Sequence, residues 1–144
     1  MTKRLVLASL MLVTTHAVAD SLDDDKYWQE QMDHWMTKSL EDAEKECDVK
    51  FSFDWVAKPT FRAGAEKEKN TPYAICNNIV QRTIQVCRGG DHDKAAVKAK
   101  LKGFRCGHAT SRKLELKKGI VTYMGNNVQS NFDEWAKAWL RKNL

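Results

Sequence analysis

The chain reads as an α+β domain, about four helices packed on a small, mainly antiparallel sheet and tied by two disulfides. Three observations predict this class: apolar spacing that switches between helical and alternating periods, glycine and proline punctuation between segments, and four cysteines behind an export signal.

The first residues have the three parts of a secretory signal, namely Lys3 and Arg4, the apolar run Leu5 to Val13, and Ala17-Val18-Ala19 before Asp20. Residues 1–19 are therefore expected to be removed after Ala19, leaving residues 20–144 as one domain in the periplasm or secreted. The apolar run is short of the roughly 20 residues that cross a bilayer, so no membrane span is expected.

Ser21 with Asp23, Asp24 and Asp25 supplies helix-starting chemistry, since capping side chains and negative charge suit a helix N-terminus. Trp28, Met32, Trp35, Met36, Leu40, Ala43 and Cys47 then fall three or four apart and share one face of a long first helix. The period changes at Val49, Phe51, Phe53 and Trp55, which alternate with polar residues as a half-buried strand does. From Ala57 to Asn70, Pro59, Gly64 and the charged run Glu66 to Lys69 mark a surface loop.

The most apolar helix follows, with Asn70 or Thr71 as cap, Pro72 at the first helical position and Gly89-Gly90 beyond its end. Ile75, Cys76, Ile79, Val80, Thr83, Ile84, Val86 and Cys87 cover so wide an arc that it needs neighbours on two sides. Asp91 is expected to cap the next helix, which runs to about Lys102 and stops at Gly103; the short link makes the pair an antiparallel hairpin. Phe104 to Gly107 reads as a short strand, and Arg112 to Lys117, the turn Lys118-Gly119 and Ile120 to Met124 as a β-hairpin. Ser130 or Asn131 with Asp133 and Glu134 opens a terminal helix, with Phe132, Trp135, Ala136, Trp139 and Leu140 facing inward.

Cys47, Cys76, Cys87 and Cys106 all lie in the exported part, where an even count reads as disulfides. No C-x-x-C pair supports zinc, and no cofactor is expected. Of three possible pairings, one fails on geometry: Cys76 and Cys87 on one helix stand roughly 16 Å apart, against a limit of ~7 Å for bridged Cα atoms. The hairpin brings Cys106 back toward Cys76, so Cys76 with Cys106 and Cys47 with Cys87 is expected. A strand doubling back after Gly103 would exchange the partners.

Charge is divided along the chain: residues 20–70 hold 8 basic and 14 acidic residues, net −6, and residues 71–144 hold 14 and 5, net +9. An acidic first helix lying against a basic second half accounts for the split. Asp91-His92-Asp93 and His108 are the metal or acid–base candidates, with His34, but no HExxH, EF-hand loop or GxSxG elbow accompanies them. Four of the five tryptophans fall on inward helix stripes, which leaves Trp55 as the exposed aromatic contact.

In outline, with a signal peptide, one small disulfide-tied domain and no active-site signature, the chain resembles the periplasmic immunity and inhibitor proteins that bacteria use against cell-wall-degrading effectors. The resemblance rests on architecture and on no particular residue. It implies a non-enzymatic binding protein with a protein partner. Trp55, Lys58, Arg62, Lys94, Lys98, Lys102 and Lys118 form the expected partner surface. That basic surface also suits an anionic glycan or peptidoglycan, and an envelope structural protein binding peptidoglycan is one alternative. Nucleic acid is not expected in an exported chain without interleaved exposed aromatics. The other alternative is a small secreted hydrolase or toxin using His34, His92 or His108.

Overall fold

The computed structural model describes residues 16–57, 63–64, 67, 72–126 and 132–144. The element order is α1 (His16–Cys47), β1 (Ser52–Trp55), α2 (Pro72–Cys87), α3 (Asp91–Lys100), β2 (Gly103–His108), β3 (Lys113–Lys117), β4 (Ile120–Gly125) and α4 (Phe132–Asn143). Lys58, Arg62 and the cap positions Asn70, Thr71, Ser130 and Asn131 lie outside the described residues, as does the apolar run of the expected signal. The chain divides into two units, Met1–Gln31, described only as the start of α1, and Met32–Leu144, which holds all the strands and the other helices. Helix α1 already begins at His16, earlier than the Ser21 start expected, because the alanines before Asp20 sustain helix in the uncut chain.

The sheet order is β1-β2-β4-β3. β1 runs parallel to β2 and β2 parallel to β4, and only β3 and β4 pair antiparallel. The sheet is thus mostly parallel rather than mainly antiparallel. The cause is the helical hairpin between β1 and β2, which acts as a crossover and returns the chain in the same direction; β3 then goes to the edge and leaves β4 beside β2.

Alternation and register give one inner face: Phe53 and Trp55, Phe104 and Cys106, Val121 and Tyr123, Leu116 and Leu114. Against this face lies α2, whose Ile75, Cys76, Ile79, Val80, Thr83, Ile84, Val86 and Cys87 are all buried. The helix packs on α3, α4, β2 and β4, which provides the neighbours its wide apolar arc requires. The opposite sheet face carries exposed Ser52, Asp54, Arg105, Lys113, Glu115 and Lys117, with Arg105 3.3 Å from Asp54.

The bridges are Cys47–Cys87 and Cys76–Cys106, with Cα separations of 5.3 and 5.7 Å, the pairing expected from the hairpin. The first ties α1 to the end of α2, and the second ties the start of α2 to the middle of β2. Each closes a loop of 40 or 30 residues, worth about 3–4 kcal/mol in the chain-entropy model.

Two expected boundaries change their meaning. Asp91 is the first helical residue of α3 rather than its cap; Gly90, with φ 141°, takes the cap position and uses no side-chain hydrogen bond. Gly103 is not a helix stop but the buried first residue of β2, where a Cβ would strike Ser52 on the neighbouring strand. Of the expected loop, Ala63, Gly64 and Lys67 have helical backbone.

Helix α1 is joined to β1 through Glu44. Its carboxylate accepts the Phe51 N–H at 2.9 Å and the Lys50 ammonium at 2.5 Å. Burial raises the Glu44 pKa, but these two hydrogen bonds and the Lys50 charge outweigh it and hold the pKa below the ordinary value of 4.5. A lowered folded pKa stabilises the fold above the unfolded value, and the contribution is lost as pH falls through the folded value. Glu44→Gln is therefore expected to cost about 0.5–1.5 kcal/mol in urea unfolding at pH 7, with the difference vanishing in strong acid.

At the β3–β4 turn, Lys118 and Gly119 have φ of 53° and 83°, and Lys117 pairs directly with Ile120, which makes a two-residue type I′ turn. Lysine is strained in this conformation and asparagine is not. Lys118→Asn is expected to raise stability by about 0.5–1 kcal/mol, read as a higher urea midpoint at unchanged slope.

Candidate functional site

The described residues of the expected partner surface come from β1, α3 and the segments flanking β2 and β4. Lys94 and Lys98 stand on α3, while Lys102 and Lys118 meet at the β3–β4 turn, where the Lys102 N–H donates to the Gly119 carbonyl at 2.7 Å. Lys98 is engaged with Asp48 at 2.6 Å, and Arg88 with Glu46 at 2.9 Å. These two pairs join the acidic end of α1 to the basic α2 and α3, so part of the charge asymmetry is satisfied within the molecule.

The tryptophans exchange roles. Trp55 is only 6% exposed and donates its indole N–H to Asp33 at 3.0 Å, so it is not the exposed contact expected. Its position on the inner sheet face, beside α1, buries it. Trp35, expected inward, is 45% exposed. The buried stripe of α1 runs through Met32, Met36, Ser39, Ala43 and Cys47, and Trp35 lies beside it. Around Trp35 gather His34, with ring centroids 5.5 Å away, Tyr73 at 6.2 Å and the Lys38 ammonium at 5.9 Å. The Tyr73 and Ser39 hydroxyls lie 3.1 Å apart and hold the start of α2 against α1.

His34, His92 and His108 stand on α1, α3 and β2. His92 is fully in solvent, with its Nδ1 3.7 Å from the Asp93 carboxylate. Among the described residues no group of three or more His, Cys, Asp or Glu is placed to hold a metal ion. A cleft of about 470 Å³ between α3 and α4 is lined in part by His92, Lys100, Arg141 and Lys142 over Val86 and Leu144. Its Arg141 is held by Asp93 at 2.8 Å.

A second constellation forms at the carboxyl ends of the two central strands. His108 pairs in register with Gly125, and Arg112 precedes Lys113, the partner of Met124, so Arg112 continues the same row on the other side of Gly125. Alternation puts all three on the inner face. Gly125 has no side chain between the two, and the Tyr123 phenol takes up that space, so closely that a Cβ at Gly125 would strike Oη and Cζ. Tyr123 is fully buried, and its hydroxyl has no hydrogen-bond partner among the described residues. Burial pushes its pKa up to about 12, with the Arg112 charge acting in the opposite sense, so the phenol keeps its proton. Arg112 is held over the Trp135 ring at 4.5 Å, and Phe132 packs edge-on against Tyr123 at 5.0 Å.

Tyr123 lies outside every expected site, whereas His108 is one of the histidine candidates and Arg112 belongs to the basic stretch read as suiting an anionic partner. The available signal was the in-line glycine at the end of a strand, which marks a close approach. No protein-family model, curated protein or solved structure matches the chain.

The contact at Gly125 gives a direct test. Gly125→Ala forces the phenol to move and is expected to destabilise by about 1–3 kcal/mol, and by less in a Tyr123→Phe background, because the oxygen is one of the clashing atoms. A double-mutant cycle in urea measures the difference.

Proposed function

We propose that the protein is a non-enzymatic binding protein of an oxidising compartment outside the cytosol, exported by a signal removed after Ala19. Its partner is a protein, in the manner of an inhibitor or immunity protein directed at a cell-wall-degrading effector. The two disulfides are consistent with a periplasmic or extracellular protein, and among the described residues no helix is long and apolar enough to cross a membrane.

The observation that carries the proposal is Trp35. It is the one large apolar side chain left exposed among the described residues, and Tyr73, His34 and Lys38 surround it. Rigid aromatic side chains of this kind, with polar groups at their rim, form the energetic centres of protein interfaces. The lysines of α3 and of the β3–β4 turn lie elsewhere and serve encounter with an acidic partner more than contact energy.

The test begins with the oxidised protein used to recover partners from an envelope fraction, followed by calorimetry with the retained protein. Trp35→Ala is expected to weaken a stoichiometric complex by about 30-fold or more while shifting folding stability by less than about 0.5 kcal/mol. Hydrolysis of an envelope polymer by the purified protein, lost on substituting His34, His92 or His108 by alanine, would replace this reading with the hydrolase. Cosedimentation with sacculi unaffected by Trp35→Ala would replace it with the peptidoglycan-binding alternative.

A further inference from the structure

We infer that the row His108, Gly125 and Arg112, with the Tyr123 hydroxyl over its centre, is a binding site for a small oxyanion, a carboxylate or phosphate group. The inference is independent of the Trp35 surface.

Four observations converge. The first is the Tyr123 hydroxyl, fully buried yet without a hydrogen-bond partner among the described residues. A buried donor left unmade works against folding, and a bound ion or ligand is one of the few things that accounts for it. The second is its direction: the ring lies along β4 over Gly125, which carries the oxygen toward the carboxyl end of the strand. That end is shared with β2, which runs parallel to β4.

The third observation is the sign of the neighbours. Arg112 supplies a permanent cation whose charge reaches the phenol, and its stacking on Trp135 fixes the guanidinium at the inner face. His108 stands in register with Gly125 on the neighbouring strand, its imidazole packed against Gly64, and borders the corner without being counted among its donors. The fourth is the adjoining helix end. Phe132, the first residue of α4, touches Tyr123, so the positive end of that helix dipole abuts the same corner. The acids of this first turn are engaged by cations, Asp133 with Arg82 at 2.9 Å and Glu134 with Lys137 at 2.6 Å. A protonated phenol can donate, and a guanidinium and a helix N-terminus offer only donors or positive charge, so an acceptor oxyanion complements all three.

The probes are inorganic phosphate and acetate, titrated into the oxidised full chain and followed by amide shifts in heteronuclear NMR. The expected result is saturable binding by at least one of them, with the largest shifts at His108, Arg112 and Gly125, and loss of affinity as salt is raised. The stronger of the two identifies the phosphate or carboxylate class. Tyr123→Phe and Arg112→Gln should each weaken binding about tenfold or more. Tyr123→Phe should also leave the melting temperature unchanged or raise it, since it removes an unpartnered hydroxyl at nearly constant volume.

No saturable shift with either anion overturns the inference. So does binding that Tyr123→Phe leaves intact, or a fall of more than a few degrees in the melting temperature of that variant, which would make the hydroxyl a structural group.

Discussion

The structure depends on a constraint inside α2: a helix is too stiff to let Cys76 and Cys87, three turns apart, reach one another. Each must take a partner from a different layer. Cys87 takes α1, and Cys76 takes the central strand β2, so the helix is fastened at one end to another helix and at the other to the sheet. Its apolar arc faces both of those layers and α3 and α4 as well. Burial and bridging therefore fix the same arrangement, and the buried sulfur atoms complete the packing they enforce.

Much of this was legible because periodicity reports which residues share a face. The eight apolar and small residues singled out on α2 are the ones buried, and the spacing of glycines and charges located α3, the β3–β4 hairpin and α4 to within a few residues. Periodicity does not report what covers a face. Trp35 satisfies helical spacing with Met32 and Met36 yet lies at the margin of the stripe, and Trp55 sits at a strand end where exposure seemed natural until α1 covered it. Sheet direction was misread for a related reason: the β-hairpin is a local signal, whereas the parallel pairs of β2 join strands separated by a helical crossover or by an intervening strand.

The corner around Tyr123 was less legible still. Its members come from β2, β4 and the residue just before β3, and none is part of a linear motif. What assembles them is register, which places His108, Gly125 and Arg112 side by side, and the missing side chain of Gly125, which admits the phenol. Local spacing indicates that Tyr123 points inward, but not that its oxygen arrives without a partner among the described residues. Such conflict between a group and its surroundings is where sequence-level reasoning is expected to fail and where function concentrates.

The two bridges also interleave along the chain, because Cys76 lies inside the loop closed by Cys47 and Cys87, and Cys106 lies outside it. A single peptide-bond cut anywhere between Cys47 and Cys106 therefore leaves the two fragments covalently joined through at least one bridge. In a compartment populated by proteases, a nick in the segment between β1 and α2 would open the backbone without releasing either piece. The loss of a fragment would require two events, a second cut or the reduction of a buried sulfur pair.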